Sequence, residues 1–222
     1  MERIKNPRVK ICCIKSVEEA WTAIRYGASA LGFVSAMPSG PGIVSEELIA
    51  QIAACVPPPI ATFLLTSAQN SEEIIQQLWR CRTNTVQICD TLKAGSYKDI
   101  RQAIPGIAIV QVIHVIDEIS VQQAINVAPQ VDAILLDSGN QSLQIKELGG
   151  TGRVHDWNLS NRIREQVNIP IFLAGGLNPD NINLAVGKVA PFGVDVCSGV
   201  RSLGNLDESK LKFFFESLNI RG

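Results

Sequence analysis

One alternation, repeated eight times, constrains this chain most. Short runs rich in Val, Ile, Leu and Phe are each followed by a longer stretch of helical character, with Gly, Pro, Ser or Asn between them. Strands are expected at residues 9–13, 30–34, 60–65, 85–88, 107–113, 131–137, 170–174 and 192–196. Helices are expected at 16–26, 45–55, 71–82, 95–104, 118–127, 156–166, 179–186 and 207–218, the first opening on a Ser-x-x-Glu capping box. The strand runs are nearly continuous apolar segments, as parallel strands covered on both faces should be. Such strands, linked by right-handed helical crossovers, form either an open doubly wound sheet or a closed (β/α)8 barrel. Eight units favour the barrel. No linker or low-complexity stretch breaks the pattern, so residues 1–222 read as a single α/β barrel domain.

Composition narrows the function classes. Lys and Arg number 20 against 21 Asp and Glu, with no basic block, which argues against a nucleic-acid partner. No apolar run reaches the roughly 18 residues of a membrane helix. The opening MERIKNPRVK is too polar for the apolar region of a secretion signal, so the expected location is cytoplasmic, away from membranes. Six cysteines are too sparse for a disulfide scaffold and none has zinc-site spacing, so no metal is expected.

In a barrel of this kind the active site lies at the C-terminal ends of the strands. Strand seven ends in Ala174-Gly175-Gly176-Leu177-Asn178-Pro179, and strand eight in Asp195-Val196-Cys197-Ser198-Gly199-Val200-Arg201. Both turns expose backbone N–H groups with little side chain in the way, and a helix expected from Pro179 would add its amides and dipole. Barrels often hold phosphate between these two loops. Gly175, Gly176, Cys197, Ser198 and Gly199 are therefore the candidate phosphate cradle.

Two side chains could carry the chemistry. Asp137 ends an apolar strand, where a charge is costly unless used. Cys12 ends another, and a carboxylic acid and a thiol across one pocket make an acid/base pair. Alternation along the strand then turns Cys13 towards the helices. Cys13, Cys55 and Cys81 are read as packing residues.

Several segments occur in an order that resembles one family. They include Val9-Lys10-Ile11-Cys12, Ala30-Leu31-Gly32-Phe33-Val34, Val86-Gln87, Leu135-Leu136-Asp137 and Gly149-Gly150-Thr151-Gly152. His155-Asp156-Trp157, Leu173-Ala174-Gly175-Gly176-Leu177-Asn178-Pro179-Asp180-Asn181 and Val194-Asp195-Val196-Cys197-Ser198-Gly199-Val200 complete the set. Together they resemble the phosphoribosylanthranilate isomerase family, the tryptophan-pathway barrel, over almost the whole chain. The resemblance implies an Amadori rearrangement of a phosphorylated aldose amine to a 1-amino-1-deoxyketose. It implies Asp137 as general acid on the furanose ring oxygen and Cys12 as general base on the sugar C2 proton. Gln87, Asp195 and Arg201 are further expected substrate contacts. Neither a metal nor a redox cofactor is implied, and the chain is expected as a monomer or homodimer binding a small phosphorylated substrate.

The chain also departs from that family's pattern. Cys13 stands where the family usually has Gly. The loop Ser35–Gly42 lacks the Arg that holds the anthranilate carboxylate, Cys89 replaces a His, and Arg201 replaces a Glu. Arg201 is thus expected to reach the carboxylate from the opposite side, to pair with Asp90 or Asp207, or to point outward as a solvated surface residue. The alternative readings are a relative acting on another phosphorylated sugar or aminosugar, or a sugar-phosphate binder without turnover.

Overall fold

A computed structural model describes residues 6–219. Eight parallel strands close into a barrel in chain order: β1 (Arg8–Ile11), β2 (Ala30–Val34), β3 (Ala61–Thr66), β4 (Thr85–Ile88), β5 (Ala108–His114), β6 (Ala133–Asp137), β7 (Ile171–Leu173) and β8 (Gly193–Val196), with β8 pairing back to β1. The helices are α1 (Val17–Arg25), α2 (Glu46–Ala54), α3 (Ser71–Cys81), α4 (Tyr97–Ala103), α5 (Glu118–Val127), α6 (Trp157–Gln166), α7 (Ile182–Val189) and α8 (Glu208–Asn219). After β8 the chain makes a 3-10 turn at Ser198–Val200 and a small hairpin of β9 (Arg201–Ser202) with β10 (Asn205–Leu206) that the sequence pattern does not announce.

Period-2 alternation along the strands makes two cores from one sheet. Residues such as Ile11, Leu31, Leu64, Val86, Ile134 and Val194 face outwards and pack beneath the helices. Their neighbours Cys12, Ala30, Phe63, Leu65, Val110, Leu135 and Phe172 fill the barrel interior. Phe172 contacts both Phe63 and Phe192 edge to face, giving the interior a rigid aromatic layer. Because alternate residues of each strand face inwards, polar residues at the strand ends are delivered to the barrel mouth.

Side-chain caps set where the helices begin. Ser16 accepts from the Glu19 N–H and Ser45 from the Leu48 N–H, while Ser96 and Asp99 form a reciprocal capping box. The cap of α3 is Asn70, whose side chain accepts from the Glu72 N–H. The expected box at α1 is only half made. The Glu19 carboxylate accepts instead from the Lys15 N–H, the Leu206 N–H and the Arg201 guanidinium. In α8, Phe214 is fully buried and docks the helix on the barrel, whereas Phe213 is exposed. Trp79 of α3 is also exposed.

The strand ends differ from expectation at one informative place. β1 stops at Ile11, not at residue 13. Cys13 has φ +63°, in the left-handed region that favours glycine, so alternation breaks there. Its side chain turns into the barrel mouth with Cys12, correcting the expectation that it faces the helices.

Candidate active site

The floor of the site is an ion pair. Lys10 and Asp195 lie directly opposite in the β1–β8 register, both pointing inwards. Lys10 Nζ donates to Asp195 Oδ1 at 2.9 Å, and neither residue is appreciably exposed. The ammonium also stands 5.3 Å from the centre of the Phe63 ring. Glycine is required at position 32 of the adjacent strand. A side chain there would meet Lys10 Nζ at 2.8 Å and the Cys12 sulfur at 3.0 Å. That same crowding brings the Cys12 thiol beside the ammonium.

Asp137 ends β6 on another wall of the same pocket, and it is buried. Its Oδ1 accepts from the Ser138 N–H at 2.8 Å. Burial pushes its carboxyl above the usual carboxylate range and outweighs the opposing pull of the nearby His114 and the Ser138 N–H. A carboxyl that holds its proton more tightly is what a general acid near neutral pH requires. His114 lies opposite Asp137 in the β5–β6 register and contacts the Cys89 carbonyl through Nε2 at 3.0 Å. It lines an outer groove between α4 and α5 instead of the pocket that holds Asp137. His155, held at about 4 by burial, contacts the Ser160 hydroxyl at 2.7 Å and serves the start of α6.

Next to these groups lies the glycine-rich end. Gly175 and Gly176 have φ of +81° and +62°, so a side chain at either is strained. A Cβ on Gly199 would approach the Leu177 carbonyl to 2.1 Å, and one on Gly176 would approach the Arg153 backbone to 2.7 Å. The loops after β6, β7 and β8 therefore pack backbone to backbone. Among the described loop hydrogen bonds, the amides of Gly175, Gly176, Ser198 and Gly199 have no acceptor. No side chain caps the 3-10 turn at Ser198–Val200, so its N–H end stays open towards the pocket. The expected contribution of the following helix is corrected. α7 starts at Ile182, not Pro179, and Asn178 Oδ1 already accepts from the Asp180 and Asn181 amides. The open amides belong to the loop after β7 and to the 3-10 turn.

The remaining wall is apolar. Met37, Leu65, Leu148 and Cys89 line it, together with Gln87, whose Nε2 faces the Cys89 sulfur at 3.7 Å. The Gln87 side-chain carbonyl is buried without a hydrogen-bond partner. Loops 35–44 and 138–156 meet over the mouth, where the Ser39 hydroxyl donates to the Lys146 carbonyl at 2.7 Å. The free space of the whole pocket is about 690 Å³, including the part open to solvent.

Arg201 corrects a second expectation. Its guanidinium does not line the pocket, and it pairs with neither Asp90 nor Asp207. It makes a two-pronged pair with Glu19 at 3.0 and 3.1 Å and donates to the Cys12 and Cys13 carbonyls at 3.1 and 2.6 Å. The side chain is buried, so it is no solvated surface residue either. Arg201 is a clamp that fixes the backbone on which Cys12 stands, and the carboxylate contact expected of it is withdrawn. Asp90 is paired instead with Lys146.

The site thus brings together Cys12, Asp137, Gln87, Asp195, the Gly175–Gly176 turn and Cys197 with Ser198, and leaves Arg201 out. Lys10 is the important residue that sequence reasoning missed. A lysine inside an apolar strand run, in register with an aspartate on the neighbouring strand of a closed barrel, was the available signal.

Comparison with known proteins agrees with this geometry. The family model for N-(5'phosphoribosyl)anthranilate (PRA) isomerase matches residues 9–217. An N-(5'-phosphoribosyl)anthranilate isomerase of Methanosarcina acetivorans is 33% identical, covering 97% of this chain and 94% of its own. One from Microcystis aeruginosa is 36% identical, covering 95% and 97%. Among solved structures, the phosphoribosyl anthranilate isomerase of Thermotoga maritima superposes with a TM-score of 0.78 at 29% identity, covering 96% of this chain and 98% of that one. A phosphoribosyl anthranilate isomerase in complex with reduced 1-(o-carboxyphenylamino)-1-deoxyribulose 5-phosphate superposes with a TM-score of 0.76 at 28% identity over the same shares. With the barrel, its mouth and these matches in agreement, the chain belongs to the N-(5'-phosphoribosyl)anthranilate isomerase family.

Proposed function

We propose that this chain converts N-(5-phosphoribosyl)anthranilate to 1-(2-carboxyphenylamino)-1-deoxyribulose 5-phosphate, with Asp137 as general acid and Cys12 as general base. The observation that carries the residue assignment is a carboxyl whose pKa burial raises and a thiol, lining one pocket beside a cradle of open amides. Asp137 gives its proton to the furanose ring oxygen as the C1–O bond breaks, and the nitrogen lone pair forms the iminium. The Cys12 thiolate then removes the C2 proton. The C–H electron pair forms the enolamine and the iminium nitrogen regains its lone pair. Proton transfer to C1 completes the aminoketose. The Lys10 ammonium stands beside the sulfur as a fixed positive charge in the pocket wall.

The Gly175, Gly176, Ser198 and Gly199 amides hold the phosphate, and Cys197 contributes its backbone. The anthranilate ring rests on Met37, Leu65 and Leu148, with Gln87 and Asp195 facing the sugar. With Arg201 committed to Glu19, the aromatic acid is recognised chiefly through its ring and through the phosphate at the far end of the substrate. No helix among the described residues is long and apolar enough to cross a membrane. A cytoplasmic enzyme, monomeric or homodimeric, fits this reading.

The test is steady-state turnover of phosphoribosylanthranilate, with rescue of a tryptophan auxotroph lacking the isomerase as the cellular counterpart. No turnover by the purified chain would overturn the reading. The phosphate end has its own test. Ser198 is exposed at the start of the 3-10 turn, so Ser198→Asp adds charge without crowding. Two like charges about 4 Å apart repel by roughly 4 kcal/mol at an effective dielectric of 20. The variant is expected to raise KM at least about tenfold while its melting temperature holds. An unchanged KM would place the phosphate elsewhere.

A further inference from the structure

The cysteine that breaks β1 has no role in the mechanism above, yet its surroundings are specific. The left-handed backbone at Cys13 carries its side chain across the seam between β1 and β8, where the Cys197 sulfur lies 2.8 Å away. Both cysteines line the active-site pocket, and the Cys13 sulfur also faces the Pro41 carbonyl at 3.6 Å. The two residues are 184 positions apart in sequence, so this approach is a product of barrel closure and not of local chain geometry. A disulfide bond is about 2.05 Å long, so the sulfurs need to close by only about 0.8 Å.

We propose that Cys13 and Cys197 form a dithiol–disulfide modification site on the wall of the pocket, oxidised by small disulfides of the glutathione type, and that the disulfide form turns over far more slowly. Cys197 is the attacking thiol. It is the less buried of the two, and Cys13 as hydrogen-bond partner and Arg201 as nearby cation favour its thiolate despite partial burial. Cys13 is pushed the other way by its hydrogen bonds to the neighbouring thiols and by burial, so it acts second. The Cys197 thiolate attacks one sulfur of the small disulfide and expels a thiolate, leaving a mixed disulfide on Cys197. Cys13 loses its proton, attacks the Cys197 sulfur and expels the second thiolate. Two protein thiols are oxidised, one small disulfide is reduced to two thiols, and the two protons pass to the leaving thiolates.

The consequence for turnover rests on the site proposed above, whereas the linkage itself does not. Cys13 adjoins Cys12, and Cys197 adjoins Ser198 of the phosphate cradle. Drawing the two strand ends together shifts the base and the cradle at once. Misplacement of about 1 Å can cost on the order of 100-fold in rate. Cys12 adjoins Cys13 in the chain, but a Cys12–Cys13 link would have to close a strained ring around one peptide bond.

The test is incubation with oxidised glutathione, alkylation of remaining thiols with N-ethylmaleimide, and peptide mapping without reductant, with turnover followed in parallel. The expected result is a Cys13–Cys197 peptide pair, a loss of turnover on the order of 100-fold, and recovery with dithiothreitol. Cys13→Gly suits the left-handed backbone and is expected to keep its starting activity and resist the loss. A Cys12–Cys13 link, no link at all, or equal inactivation of Cys13→Gly would overturn the proposal. A Cys13–Cys197 link with unchanged turnover would overturn its inhibitory half. Because the peptide map reads the linkage directly, a chain with no isomerase activity would still confirm or refute the pair.

Discussion

An Asp137→Asn variant is expected to keep its fold and to lose at least about 100-fold in kcat, the range associated with a positioned acid or base. The substitution preserves shape and the acceptor for the Ser138 N–H but removes the proton. KM should move little, because the phosphate and ring contacts lie elsewhere. Stability should hold or rise, and the sign follows from linkage. Asp137 has a folded pKa above its unfolded value. Its favourable contribution is therefore present below the unfolded value of about 3.9 and is lost as pH rises through the raised one. At neutral pH the carboxyl weakens the fold, and the amide removes that penalty. In the wild type, kcat should fall on the alkaline side as the same carboxyl gives up its proton, and that limb should vanish in Asp137→Asn. Cys12→Ser should show a comparable loss in kcat. Near-full activity in both variants would show that the acid and base are other groups.

Much of this molecule could be read from the chain, because a barrel repeats one unit whose period is visible in hydrophobicity. The eight strand runs all became strands, and their ends delivered Cys12, Gln87, Asp137, Asp195 and the two glycine turns to one mouth. What could not be read depends on contacts between distant segments. Arg201 looked like a replacement anchor because only its position in the chain after β8 was visible. Its true partner, Glu19, sits on α1 and is brought near by the hairpin of β9 and β10. Cys13 looked like a packing residue because strand alternation was carried two residues past the end of β1, onto a residue whose backbone is left-handed. The start of α7 was placed three residues early because proline signals a first helical turn. The Asn178 side chain instead makes a separate turn that uses up the nearby amides. At Arg201 and Cys13 a local rule was overridden by contacts that exist only once the barrel has closed, whereas at α7 one local turn displaced another.

Lys10 shows most sharply what closure adds, and its removal carries the largest expected stability change. The ammonium is fully buried, and burial alone would drive it neutral. The Asp195 carboxylate 2.9 Å away more than compensates and holds its pKa above the ordinary lysine value. A lysine with a raised folded pKa contributes its full stability below the unfolded value of about 10.4 and loses it only as pH rises beyond that. The pair should therefore be insensitive to pH across the neutral range. Lys10→Met fills similar space but leaves Asp195 buried without its counter-charge. Breaking a buried pair from one side costs about 3–5 kcal/mol, a large part of the roughly 5–15 kcal/mol that holds a domain folded. Replacing both partners with apolar residues is often neutral or stabilising. The double variant Lys10→Met, Asp195→Leu is accordingly expected to recover most of the stability lost in the single one. It should not recover turnover, because the ammonium beside Cys12 and the carboxylate facing the sugar are both gone. Urea unfolding of the two variants, read alongside kcat, separates these effects. If Lys10→Met unfolds at the wild-type midpoint, the ion pair does not support the barrel, and Lys10 would be held there for chemistry alone.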